Sequence, residues 1–105
     1  MNTVLKDLQE SHSILIVSHS RPDGDAIGSM LALGTMLKKM GKEVVYYSHD
    51  PVPANLQFLK DSNLISQELP DQNLDIVCIV DCDSPKRVGA DFEGFKNYKK
   101  MVVID

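Results

Sequence analysis

Apolar residues fall along this chain in two rhythms. Short, unbroken aliphatic runs, ILIVS (14–18), EVVYYS (43–48), DIVCIVD (75–81) and MVVID (101–105), predict strands, and such continuous runs suit strands covered on both faces. Between the first two, the period lengthens. Ile27, Met30, Leu31, Gly34 and Leu37 fall on one helical stripe over 26–40, widened by Leu33, Met36 and Met40. Lys38 and Lys39 in the last turn and Gly41 beyond it suit a helix end. Residues 2–11 predict a short amphipathic helix through Val4, Leu5 and Leu8, residues 54–60 a short helix, and 91–99 a modest helix or irregular connection. HSRPDGD (19–25) is turn chemistry throughout.

Strands alternating with helices imply parallel pairing. The expected fold is α/β, a Rossmann-like three-layer sandwich with a mainly parallel sheet. At 105 residues there is room for one domain. The chain ends at Asp105, directly on a strand, which leads us to expect a fragment of a longer protein. Hydrophobic residues at 43% and charged residues at 25% describe a globular chain, and aromatics at 6% make its core aliphatic. A net charge of −4 excludes a broadly basic surface coating long duplex nucleic acid. The aliphatic runs fall far short of the roughly 20 residues a spanning helix needs. The first dozen residues lack the apolar core of a secretion signal. Cys78 and Cys82, spaced to share one face of a strand and too far apart to bridge easily, suggest a reducing cytoplasm.

Polar chemistry collects where strands end. The first run leads into His19, the third ends at Asp81 and the fourth at Asp105, and ligands of open parallel sheets bind outside such carboxyl ends. One edge would therefore gather His19, Asp23, Asp25 and Asp81, with Asp83 and Asp105 nearby. Two carboxylates about 4 Å apart repel by roughly 4 kcal/mol at an effective dielectric near 20. Protons or cations must relieve that repulsion, and a set of His and Asp suits divalent transition metals such as Mn2+. Taken singly, each residue has a plainer reading. Asp25 is well placed as a helix N-cap, Asp81 can open a turn, Arg87 can be a surface charge, and His12 and His49 read as surface or loop residues. The conjunction of His-x-x-x-Asp-x-Asp at one strand end with an Asp at another favours a site.

These residues match a known pattern. SHSRPDGDAIGSMLALGTML (18–37) resembles the first motif of the DHH phosphoesterase superfamily, in the version found in its nano-RNase and exopolyphosphatase-like branch. VCIVDCDSPKRVG (77–89) resembles the second motif, and VVID (102–105) the strand leading into the Asp-His-His motif, cut after its Asp. The resemblance implies that the chain is a truncated DHH domain, residues 1–105 being its N-terminal part, with the rest of it and a C-terminal substrate-binding domain absent. It implies two Mn2+ ions, with Mg2+ or Co2+ as substitutes. His19 and Asp23 would hold one ion and Asp25 the other, Asp81 bridging them. Asp105 would support catalysis beside Asp81, and Arg87 would meet the substrate phosphate.

The implied reaction is hydrolysis of short oligoribonucleotides or 3′-phosphoadenosine 5′-phosphate by a metal-activated hydroxide, in a cytoplasmic enzyme, homodimeric in one version of the reading. Without the two histidines of the third motif, this fragment would be inactive alone. A cyclic-dinucleotide phosphodiesterase of the same superfamily is the alternative. A metal–nucleotide binding domain built on Asp23-x-Asp25, or a receiver-like phospho-acceptor, fits less of the pattern.

Overall fold

The computed structural model describes residues 2–104. The fourth apolar run therefore ends, among the described residues, at Ile104, and the strand-end role expected of Asp105 lies outside them. The elements follow in the order α1 (Asn2–Glu10), β1 (Ser13–Val17), α2 (Gly24–Lys39), β2 (Glu43–Tyr47), β3 (Ile65–Ser66), β4 (Leu74–Val80), α3 (Ala90–Glu93) and β5 (Tyr98–Ile104). Short 3-10 turns stand at Ala54–Leu56, Ser62–Leu64 and Pro85–Arg87.

The strands form one sheet in the order β3-β2-β1-β4-β5, every neighbouring pair parallel. β1 is the hinge of this topology. The chain leaves it through α2 to β2 on one side, then returns to place β4 on the other, with Val17 opposite both Tyr47 and Ile79. The carboxyl ends of β1 and β4 are thus adjacent at the point where strand order reverses, which is where such sheets open a crevice.

Alternation along β1 and β4 feeds two cores. Ile14, Ile16, Ile76 and Cys78 pack with Ile27, Met30, Leu31 and Leu37 of α2 and with Leu8 of α1. Leu15, Val17, Val77 and Ile79 face the other way, onto Val88, Phe92 and Phe95. Ile16 and Ile76 are fully buried, and truncating either to Ala would cost about 2–5 kcal/mol. The α/β sandwich is the expected one, and its sheet is wholly parallel.

Several local expectations give way. The helix expected over 54–60 shrinks to one 3-10 turn at Ala54–Leu56, and a second such turn at Ser62–Leu64 leads into the two-residue β3, a fifth strand too short to leave a periodic trace. The connection expected over 91–99 contains only the single-turn α3, ended at Gly94, because Tyr98 and Lys99 already belong to β5. Met36 and Met40 lie at the edge of the α2 stripe and remain 46% and 44% exposed. The end of α2 follows expectation. Gly41, at φ +83°, lets its own N–H reach Lys38 O and the Lys42 N–H reach Leu37 O, a Schellman closure.

Cys78 and Cys82 do not share a face. Asp81 adopts a left-handed backbone, φ +51°, which ends the strand alternation and turns Cys82 into the core on the opposite side from Cys78. Both thiols are free and buried.

Candidate metal centre

Two turns build the rim at the β1–β4 crevice. The first, His19 to Asp23, leaves β1 and enters α2. Gly24 is already helical, so α2 starts earlier than its apolar stripe suggests, and the N-cap is Asp23 rather than Asp25. Asp23 has extended backbone angles, its Oδ1 accepts the Ala26 N–H at 2.9 Å, and its carbonyl accepts the Ile27 N–H at 3.0 Å. Asp25 falls in the first turn of the helix and is exposed. The second turn leaves β4 at Asp81, whose N–H still reaches Ile104 O at 3.2 Å.

His19, Asp23 and Asp81 each offer a ligand atom, and these atoms lie within 4.8 Å of one another. His19 Nε2 is 3.9 Å from Asp23 Oδ1 and 3.8 Å from Asp81 Oδ2. The His19 ring is the sheltered member, its side chain 15% exposed, while the carboxylates open to solvent. Its Nδ1 lies 2.8 Å from the Ser20 carbonyl, an atom that can only accept, so Nδ1 carries the proton and donates it. In the neutral ring Nε2 then presents a lone pair toward two carboxylates. Among the described residues no Lys or Arg forms an ion pair with Asp23 or Asp81.

Three acceptors facing one another at these distances make no hydrogen bond, but they can share a cation. Ligands bonded at about 2.1 Å to one octahedral ion stand about 3.0 Å apart when adjacent and about 4.2 Å when opposite. The two His19 separations fall in that interval. One imidazole nitrogen with two carboxylate oxygens suits a divalent metal between hard and borderline, and the Nδ1–H bond to a carbonyl is the outer contact that orients such an imidazole.

The backbone at this rim is strained. Arg21, at φ +54°, and Asp81 are two of the three non-glycine residues with positive φ among the described residues. Such conformations cost of order 1–3 kcal/mol each and persist only where surrounding contacts enforce them. The contacts are visible. Ser20 N–H donates to Arg87 O at 2.6 Å, tying the β1 turn to the β4 turn, and Arg21 N–H donates to Asp50 Oδ2 at 2.7 Å. Gly89, at φ +141°, lets the β4 turn pass so close to His49 that a Cβ there would meet the imidazole at 2.8–2.9 Å.

The residues of this chain from 13 to 105 match the model of the DHH family, N-terminal domain. The chain belongs to the DHH family. It is 40% identical over 85 residues to the bifunctional oligoribonuclease and PAP phosphatase NrnA of Thermus thermophilus, an alignment covering 78% of this chain and 25% of that protein. The fold superposes on the crystal structure of an exopolyphosphatase-related protein from Bacteroides fragilis with a TM-score of 0.80 at 29% identity. That match covers 97% of this chain and 33% of the other. The chain thus spans about a quarter to a third of the length of these relatives.

Within this DHH chain, three of the described candidate residues meet, and Asp25 and Arg87 stand apart from them. Asp25 is outside the three-residue group. The Arg87 guanidinium is exposed and turned onto Asp83 at 3.5 Å, while its carbonyl serves the rim through Ser20. Asp105 lies outside the described residues. A cavity of about 320 Å³ opens beside Asp81, walled by Ser29, Leu33, Val80 and Ile104. The roles of Ser20, Asp50 and Gly89 are not legible in the sequence. Ser20 acts through its carbonyl, which leaves no side-chain signature, and Asp50 meets a backbone amide 29 residues earlier in the chain. The charge of Asp50 ahead of Pro51 was the one signal available for it.

Proposed function

We propose that this chain contributes the cation-binding rim of a phosphoesterase that hydrolyses short oligoribonucleotides or the 3′-phosphate of phosphoadenosine phosphate, with Mn2+ as its ion. The observation that carries this reading is the group His19, Asp23 and Asp81, two carboxylates and an oriented imidazole with no Lys or Arg paired to them among the described residues. Its setting in a DHH chain similar to an oligoribonuclease and PAP phosphatase supplies the substrate class. In this reading residues 1–105 are the N-terminal part of a DHH domain. The remainder of that domain and a C-terminal substrate-binding domain complete the enzyme, and the 105 residues alone are inactive. We assign the reaction to the cytoplasm, on the strength of two free, buried thiols.

Bound divalent cations supply charge against the phosphoryl oxygens and an activated water. The protein's own groups prepare the place. The Ser20 carbonyl holds His19 with its Nε2 lone pair facing inward. Asp23 is kept from rotating because one of its oxygens also caps α2. Asp81 is delivered by its left-handed backbone to the mouth of the crevice, where it would serve as a ligand shared between cations, and Asp25 would contribute to holding a second one. Asp105 would support the same site, and Arg87, now paired with Asp83, would turn to a substrate phosphate. Neither thiol is placed as a nucleophile: burial pushes the Cys78 thiol up to about 12, and Cys82 is buried with its thiol donating to the Ser84 carbonyl.

The test is Asp81→Asn in the intact protein, assayed with Mn2+ on a diribonucleotide and on phosphoadenosine phosphate. Asn tolerates the left-handed backbone that Asp81 occupies, so only the charge is removed. Hydrolysis of both substrates should disappear, and full turnover by the variant would refute the bridging role. Turnover by the unaltered protein of a cyclic dinucleotide, with neither of the other substrates cleaved, would move the assignment to a cyclic-dinucleotide phosphodiesterase.

A further inference from the structure

The turn that carries His19 and Asp23 contains Arg21 in a left-handed conformation, which a residue with a Cβ does not hold unaided. Pro22 follows it and is buried, so the turn cannot relax by swinging outward. Two long-range hydrogen bonds secure it: Ser20 N–H to Arg87 O, and Arg21 N–H to Asp50 Oδ2 at 2.7 Å. Only the second involves a side chain. Asp50 is itself fixed. The hydroxyl of Ser48, a residue just 2% exposed, donates to the Asp50 carbonyl at 2.7 Å, and the Ser48 N–H donates to Ser66 O at 2.9 Å, which ties the end of β2 to β3. Asp50 stands outside the group of prospective ligands, and its Oδ2 is already engaged.

We propose that Asp50 is a positioning residue, whose carboxylate clamps the Arg21 amide and so holds His19 and Asp23 in ligating geometry before any cation arrives. The inference rests on the metal-centre reading above. It extends that site to an acid on a third strand end, acting as a hydrogen-bond acceptor and not as a ligand.

Asp50→Ala and Asp50→Asn in the intact protein separate the possibilities, because the Asn carbonyl can still accept from the Arg21 N–H. Three quantities are read: Mn2+ affinity by calorimetry, hydrogen exchange of the Arg21 amide in the metal-free protein, and melting temperature. Asp50→Ala should weaken Mn2+ binding about tenfold and deprotect the Arg21 amide, while Asp50→Asn keeps both close to the unaltered protein. Unchanged affinity in the Ala variant, with or without a lower melting temperature, would overturn the proposal, as would an Asn variant as weak as Ala. Should the Ala variant fail to fold, the unaltered protein decides: an Arg21 amide exchanging as fast as a free loop contradicts the clamp. If the unaltered protein binds no Mn2+ at all, the metal reading fails. Protection of Arg21 that is lost in Asp50→Ala would then still support the clamp.

Discussion

The two ends of the β1–β4 pair both carry acids, and they treat them in opposite ways. At the amino end, Asp75 Oδ2 accepts the backbone N–H of His12 at 2.7 Å and of Ser13 at 3.3 Å, while the Ser13 hydroxyl accepts the Asp75 N–H. Lys99 stands 3.6 Å from its other oxygen, and Lys100 pairs with Asp7 at 2.9 Å across the same cavity of about 340 Å³. Those backbone N–H bonds, above all the one from His12, hold the Asp75 carboxyl below its usual range. At the carboxyl end, Asp23 and Asp81 face an imidazole nitrogen and no lysine or arginine among the described residues. A carboxylate whose lone pairs are met by donors belongs to the architecture. Asp81, on left-handed backbone, and Asp23, whose one donor is the Ala26 N–H, face each other's oxygens and an imidazole nitrogen, and are poised for something the chain does not itself contain.

Disturbing each end should therefore move different quantities. The largest effect expected is at Asp81. Asp81→Asn should lower hydrolysis by about a thousandfold or more, yet leave the melting temperature of the metal-free protein unchanged or higher, because a repulsive charge has gone. A stability loss with turnover retained would make the carboxyl end as architectural as the amino end.

Asp23 comes next. Asp23→Asn keeps an N-cap acceptor for Ala26 and should weaken Mn2+ binding about tenfold, whereas Asp23→Ala should also lose the cap, about 1 kcal/mol in denaturant unfolding. Equal stability of the two variants would remove the cap from the account.

The amino end should show the reverse. Asp75→Ala should lower the melting temperature by several degrees while the surviving folded enzyme keeps its Mn2+ affinity. The smallest expected effect is acid-dependent. The folded-state value of Asp75 is depressed, so its contribution is complete above the ordinary aspartate value of 3.8 and lost as pH falls through the lower, folded one. Asp75→Asn should flatten that acid limb of the stability curve, and an unchanged limb would show that other carboxylates set it.

Much of this contrast is legible in the residues, and the gaps have physical causes. The aliphatic runs ending at Val17 and Val80 fix where polar chemistry can begin, so the meeting of His19 with Asp81 follows once the strands pair in parallel. Choosing between Asp23 and Asp25 as the cap depends on whether Gly24 is helical, and glycine's poor helix propensity conceals an early start. Cys82 changes face because one left-handed residue interrupts alternation, and alternation is what sequence reading assumes. β3 is two residues long, below any periodic signal. Asp50 is hidden for a different reason: its partner is a backbone amide, which every residue type but proline supplies.

The most direct measurement is anomalous diffraction at the manganese edge from crystals of the intact protein grown with Mn2+. A peak bonded to His19 Nε2 and to carboxylate oxygens of both Asp23 and Asp81 is the predicted result. Density free of any peak among those three side chains, at a manganese concentration that saturates activity, would contradict it.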